Sequence, residues 1–146
     1  MEFSGMVEGF GEGRHVLLME DNEINANIII AQLTPEGYLV DWVIDGEKGL
    51  RKFEESRECY YSCVITDLMM PIMDGHEASR RIRDLGRKDS QLPILGLTAN
   101  AFSEDLVTYK DCGINKCVIK PYDRKELLEW LRENISEYER IDVTDN

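Results

Sequence analysis

The chain has 146 residues, 42% hydrophobic and 32% charged, a balance that suits one soluble domain and leaves little room for a second. Its formal net charge of -12 repels nucleic acid and anionic membranes, so direct binding to either is not expected. No apolar run approaches the length of a membrane span, and Met1–Gly13 lacks the basic and hydrophobic regions of a signal peptide, which predicts a cytoplasmic location.

Residues 1–13, with several Gly and Glu, read as a disordered tail or an expression remnant. The string Gly9-Phe10-Gly11-Glu12-Gly13 has something of a dinucleotide fingerprint, but it precedes a strand instead of following one and opens no helix. From Arg14 the pattern alternates. His15–Glu20 is a short apolar strand, and Ile24–Thr34 a helix ended by Pro35 and Gly37. Tyr38–Ile44 reads as the second strand, and Asp45-Gly46 turns into a helix reaching about Glu55. Cys63–Thr66 is the third strand, Gly75 to about Leu85 the third helix, and Pro93–Leu97 the fourth strand. Ser103 caps a helix that ends before Gly113, and Lys116–Ile119 is the fifth strand. Asp123 and Glu126 spell a capping box for a last helix to about Tyr138. One domain is thus expected over 14–138, with 139–146 as a frayed C-terminal tail.

Five strands alternate with five helices, and strands one, three and four are near-continuous apolar runs, as parallel strands covered on both faces should be. The expected fold is α/β: a flavodoxin-like, doubly wound (βα)5 unit around a five-stranded parallel sheet. The four cysteines, Cys59, Cys63, Cys112 and Cys117, are spaced CxxxC and CxxxxC, unlike the pairs of a zinc ribbon. Cys63 and Cys117 read as small hydrophobes on buried strands.

In open α/β sheets ligands bind beyond the carboxyl ends of the strands, where the strand order reverses. The residues at those ends are Glu20 and Asp21, then Asp67, Thr98, and Lys120 followed by Pro121. With a strand order 2-1-3-4-5, the three carboxylates converge in one crevice and repel one another. Protonation or a cation must relieve that repulsion. Oxygen-only donors suit a hard metal, and Mg²⁺ keeps coordination positions open for a phosphate oxygen. Lys120 offers a point charge and Thr98 a hydroxyl to other phosphoryl oxygens. Asp67 is the candidate nucleophile, since a carboxylate can form an acyl phosphate.

Four segments in order carry a family resemblance: Glu20-Asp21-Asn22, Asp67-Leu68-Met69-Met70-Pro71-Ile72-Met73-Asp74-Gly75, Leu97-Thr98-Ala99-Asn100-Ala101 and Lys120-Pro121. Over about Arg14 to Tyr138 the chain resembles the receiver domain of response regulators and hybrid histidine kinases. In spelling it is closer to receivers of hybrid kinases and phosphorelays than to those of DNA-binding regulators. The resemblance implies a signalling phosphoacceptor, not an enzyme beyond self-phosphorylation and self-dephosphorylation. It implies that Asp67 takes phosphate from the phosphohistidine of a histidine kinase or histidine phosphotransfer protein. It further implies Mg²⁺ held by Glu20, Asp21, Asp67 and the backbone carbonyl of Met69, phosphoryl oxygens bound by Thr98 and Lys120, and a cis Lys120-Pro121 bond. Two positions depart from the family pattern. Cys117 stands where an aromatic switch residue is frequent, and Met69 stands two after the phosphoacceptor, where an amide or basic side chain is frequent.

Other readings fit less well. An aspartyl phosphatase of the haloacid-dehalogenase type would need a second Asp where Met69 stands, to move the proton. A flavin-binding domain would need a phosphate loop where Glu20-Asp21 would repel the phosphate. A binding module never phosphorylated would not need the whole set. Separately, Glu20-Asp21 could merely cap the first helix, Asp74 could be a turn residue, and His76 is expected on an outer helix face. Ile28-Ile29-Ile30 is more apolar than one buried stripe requires. All three touching the core is the expected arrangement, with Ile30 or its neighbours as the candidate docking face.

Overall fold

The computed structural model describes residues 9–100 and 109–143. Strands β1 (His15–Met19), β2 (Leu39–Val43), β3 (Tyr61–Asp67), β4 (Ile94–Thr98) and β5 (Lys116–Ile119) form one sheet in the order β2-β1-β3-β4-β5. Every pairing is parallel. Among the described residues the α-helices are α1 (Glu23–Leu33), α2 (Gly46–Glu55), α3 (Gly75–Asp84) and α4 (Arg124–Tyr138). The helix expected from Ser103 falls mostly outside the described residues; Tyr109–Cys112 is a 3-10 turn.

Strand alternation sorts the apolar side chains into two cores. Val16, Leu18, Cys63, Ile65, Leu95 and Leu97 face α1 and α4. Leu17, Met19, Val64 and Ile94 face α2 and α3. β1, β3 and β4 therefore bury side chains on both faces, which is why their sequences read as continuous apolar runs rather than alternating ones, while the edge strands β2 and β5 are only partly buried.

Three helices start on side-chain caps. Asn22, Asp45 and Asp74 accept the backbone N–H of Asn25, Lys48 and Glu77. So Asn22, not Glu20 or Asp21, caps α1, and Asp74 is a cap rather than a simple turn residue. Asp123 sits at the N-cap of α4 without a side-chain cap bond, so the expected capping box with Glu126 is not formed. After α1 the chain makes a 3-10 turn, Thr34–Glu36, and leaves it at Gly37, whose φ of +99° favours glycine.

Part of each expected tail is structured. Residues 9–13 form turns, and Phe10 packs against the α1/α4 core. The Arg14 guanidinium lies 4.0 Å above the Phe10 ring and donates to Glu139 at 3.0 and 2.7 Å. His76 is not on an outer face. The buried side of α3 runs through Ala78, Ser79 and Ile82 and is broad enough to include it, three residues before Ser79.

Candidate functional site

β1 and β3 are neighbours, and their carboxyl ends stand side by side, with Met19 paired to Thr66. Glu20 and Asp21 follow β1, and Asp67 closes β3. Carboxylate oxygens of Glu20, Asp21 and Asp67 lie within 4.8 Å of one another. Glu20 is fully buried, Asp67 mostly buried and Asp21 exposed. Lys120 reaches in from the end of β5, with Nζ 3.4 Å from Glu20 Oε1 and 3.8 Å from Asp67 Oδ2. The Lys120-Pro121 bond is cis, as the resemblance implied. Thr98 is buried at the end of β4, and its Oγ1 accepts the Asn100 N–H at 3.2 Å. The Lys120 N–H donates to the Thr98 carbonyl at 2.8 Å, joining the two strand ends.

The crowding shows in the electrostatics. The Asp67 carboxyl is raised from an ordinary 3.8 to about 6, first by burial and then by the negative charge of Glu20. Lys120 opposes the rise, and Asp21 and a hydrogen bond with Glu20 add to it. A divalent cation would relieve the same repulsion. The donor set fits Mg²⁺: all oxygen, few carboxylates, and one open side at Asp21 for water or a phosphate oxygen.

The backbone around Asp67 is fixed by residues the sequence reading did not single out. Thr66 Oγ1 donates to the Asp67 carbonyl at 2.8 Å, and Gly75 N–H donates to the Leu68 carbonyl at 3.1 Å. A Cβ at Gly75 would stand 2.4 Å from the Asp67 carbonyl oxygen, so only glycine lets α3 start this close to the end of β3. Trp42 on β2 donates its indole N–H to the Glu20 carbonyl at 2.7 Å. Neither Thr66 nor Trp42 carries a motif signal, because each acts through a backbone carbonyl, that of the next residue for Thr66 and that of the residue after the neighbouring strand β1 for Trp42. Met69 is exposed beside the crevice, and Cys117 is half-buried against the α2/α3 core.

The response regulator receiver domain family model matches residues 16–132. The chain belongs to this family. As a receiver domain it is 36% identical, over 80% of its length, to hybrid signal transduction histidine kinase L of Dictyostelium discoideum, covering 7% of that protein. It is 39% identical over 83% of its length to the transcriptional regulatory protein YkoG of Bacillus subtilis, covering 50% of it. The chain thus spans half or less of these curated relatives. Among solved structures it is similar to the receiver domain of a Pseudomonas aeruginosa sensor histidine kinase, which has a magnesium ion coordinated in its active site cleft. The two share 36% identity at a TM-score of 0.76, covering 85% of this chain and 98% of that one. The chain is a receiver domain of the two-component type, whose standard function is phosphoryl transfer. Among the described residues no helix is long and apolar enough to cross a membrane.

Proposed function

We propose that Asp67 is the phosphoacceptor of this receiver domain, taking a phosphoryl group from a phosphohistidine. The carrying observation is its place within 4.8 Å of two further carboxylates and 3.8 Å from the Lys120 ammonium. An Asp67 carboxylate oxygen bonds to phosphorus as the P–N bond of the donor breaks, and the imidazole leaves with the electron pair. Glu20, Asp21, Asp67 and the Met69 carbonyl are the ligands for Mg²⁺, which when bound supplies positive charge to the transferred oxygens. Lys120 neutralises a further oxygen, and Thr98 donates its hydroxyl to another. This is a signalling acceptor working in a cytoplasmic phosphorelay, without turnover beyond its own phosphorylation and dephosphorylation. Met69 brings no group able to orient water at the acyl phosphate.

Incubation with Mg²⁺ and acetyl phosphate tests the assignment. One acid-stable, base-labile phosphate mapping to the Asp67 peptide is expected, and none in EDTA. An adduct on another residue, or continuous hydrolysis of a phosphate ester without a partner, would rule it out.

We also assign the donor's docking edge to α1 and the residues after β5. Ile24 is 71% and Ile28 49% exposed, beside a cleft of about 450 Å³ lined by Ile28, Gln32, Lys120, Pro121 and Tyr122. Of the three consecutive isoleucines, Ile29 is buried and Ile30 is half-buried against the core, so Ile28 rather than Ile30 is the exposed one. Ile28→Glu is expected to slow transfer from a phosphotransfer protein about tenfold or more, while labelling by acetyl phosphate is unchanged. Equal slowing with both donors would place Ile28 in folding rather than docking.

A further inference from the structure

We propose that Trp42 is a positioning residue for the metal-binding turn Glu20–Asp21, acting through the hydrogen bond from its indole N–H to the Glu20 carbonyl. The inference deepens the Mg²⁺ assignment above and rests on it. β1 and β2 pair in parallel up to Met19 and Val43, and the ladder adds one more bond, from Glu20 N–H to the Val43 carbonyl at 3.0 Å. β2 then ends, and the chain turns into α2 through its cap, Asp45. In a continuing ladder the Glu20 carbonyl would face the next backbone donor of β2. Here the Trp42 side chain supplies a donor at 2.7 Å.

Glu20 is therefore held from β2 at both its N–H and its carbonyl, and the carbonyl belongs to the peptide that joins the two metal-binding carboxylates. The Glu20 side chain is held as well, since Oε2 accepts the Asn22 N–H at 3.1 Å. Asp21 is different. It is exposed, and among the described residues no hydrogen bond fixes its carboxylate, so its direction is inherited from the Glu20–Asp21 peptide. Repulsion from Glu20 and Asp67 pushes Asp21 outward, and a peptide free to rotate would let it go. The indole bond opposes that rotation and keeps the like charges gathered for a cation. Groups that orient metal ligands from behind typically change metal affinity by about 10–100-fold when removed.

The alternative role for Trp42 is packing, because its ring is half-buried against the α1/α4 core. Trp42→Phe keeps an aromatic ring there and removes the donor. Mg²⁺ binding to the full chain, measured by titration calorimetry without any phosphodonor, is expected to weaken about tenfold. Benzothienylalanine at position 42 retains the bicyclic shape without the N–H and is expected to weaken binding equally, even if phenylalanine also disturbs packing. Trp130→Phe, on α4, is expected to leave the affinity unchanged. Wild-type affinity, within about twofold, in the benzothienylalanine protein overturns the role of Trp42 while leaving the metal site standing. Absence of saturable Mg²⁺ binding by the wild type overturns the metal assignment itself.

Discussion

Asp67→Asn is expected to abolish phosphoryl uptake and, in the absence of metal, to make the protein more stable. The first effect follows from replacing the nucleophilic carboxylate by an amide. The second follows from the site's electrostatics. Burial and Glu20 raise the Asp67 carboxyl from 3.8 to about 6, so between these values the folded protein binds more protons than the unfolded chain. Stability contributed by this group is present below pH 3.8 and is lost as pH rises through about 6. The displacement corresponds to about 3 kcal/mol at neutral pH, and about 2–3 kcal/mol is expected after partial exposure is allowed for. An amide removes the negative charge and can donate to Glu20. Urea unfolding in EDTA should therefore show the variant more stable than wild type at about pH 7.5, by a gap that narrows as pH falls through 6 and closes only below 3.8. A gap that is constant with pH would show that ionisation of Asp67 is not its cause.

Lys120→Met is expected to act in the opposite direction. Its ammonium stands between Glu20, which is fully buried, and Asp67, and it is the group that opposes the rise of the Asp67 carboxyl. Removing it leaves the carboxylates to repel one another without this counter-charge. A loss of about 2 kcal/mol at pH 7 is expected, below the 3–5 kcal/mol of a fully buried pair because Lys120 remains partly exposed. Acidification to pH 5 or added Mg²⁺ should restore most of it, because either neutralises the cluster. Labelling by acetyl phosphate should fall about a hundredfold, the usual cost of deleting one preorganised charge donor at a transferring group. Mg²⁺ affinity should hold or rise, since a competing cation has been removed. Labelling at the wild-type rate would remove Lys120 from the reaction.

Met69 and Cys117 mark where this receiver domain departs from the usual family spelling. Met69, two residues after Asp67, is 64% exposed and offers a thioether where an amide or basic side chain is frequent. Cys117 occupies the frequent aromatic position with a smaller side chain on β5, one strand position from Val118 and three before the lysine. Its side chain is half-buried against the α2/α3 core.

The sequence by itself determined the strand order's functional consequence: Glu20, Asp21, Asp67, Thr98 and Lys120 each stand immediately at or after a strand's carboxyl end, and a parallel sheet places all such ends on one edge. Short apolar runs and Gly or Pro punctuation are local signals, so β1 to β5 were legible with boundaries within two residues. Tertiary structure alone decided features that depend on one element meeting another. His76 is polar, yet the width of α3's buried side encloses it. Ile28 and Ile30 are chemically alike, and only the packing of α1 against the sheet exposes the first and half-buries the second. Arg14 and Glu139 are 125 positions apart and meet because the residue before β1 and the residue after α4 are brought together in the fold. Trp42, Thr66 and Gly75 shape the site through backbone carbonyls. A carbonyl is the same group at every position, so only the folded register shows which donor it meets.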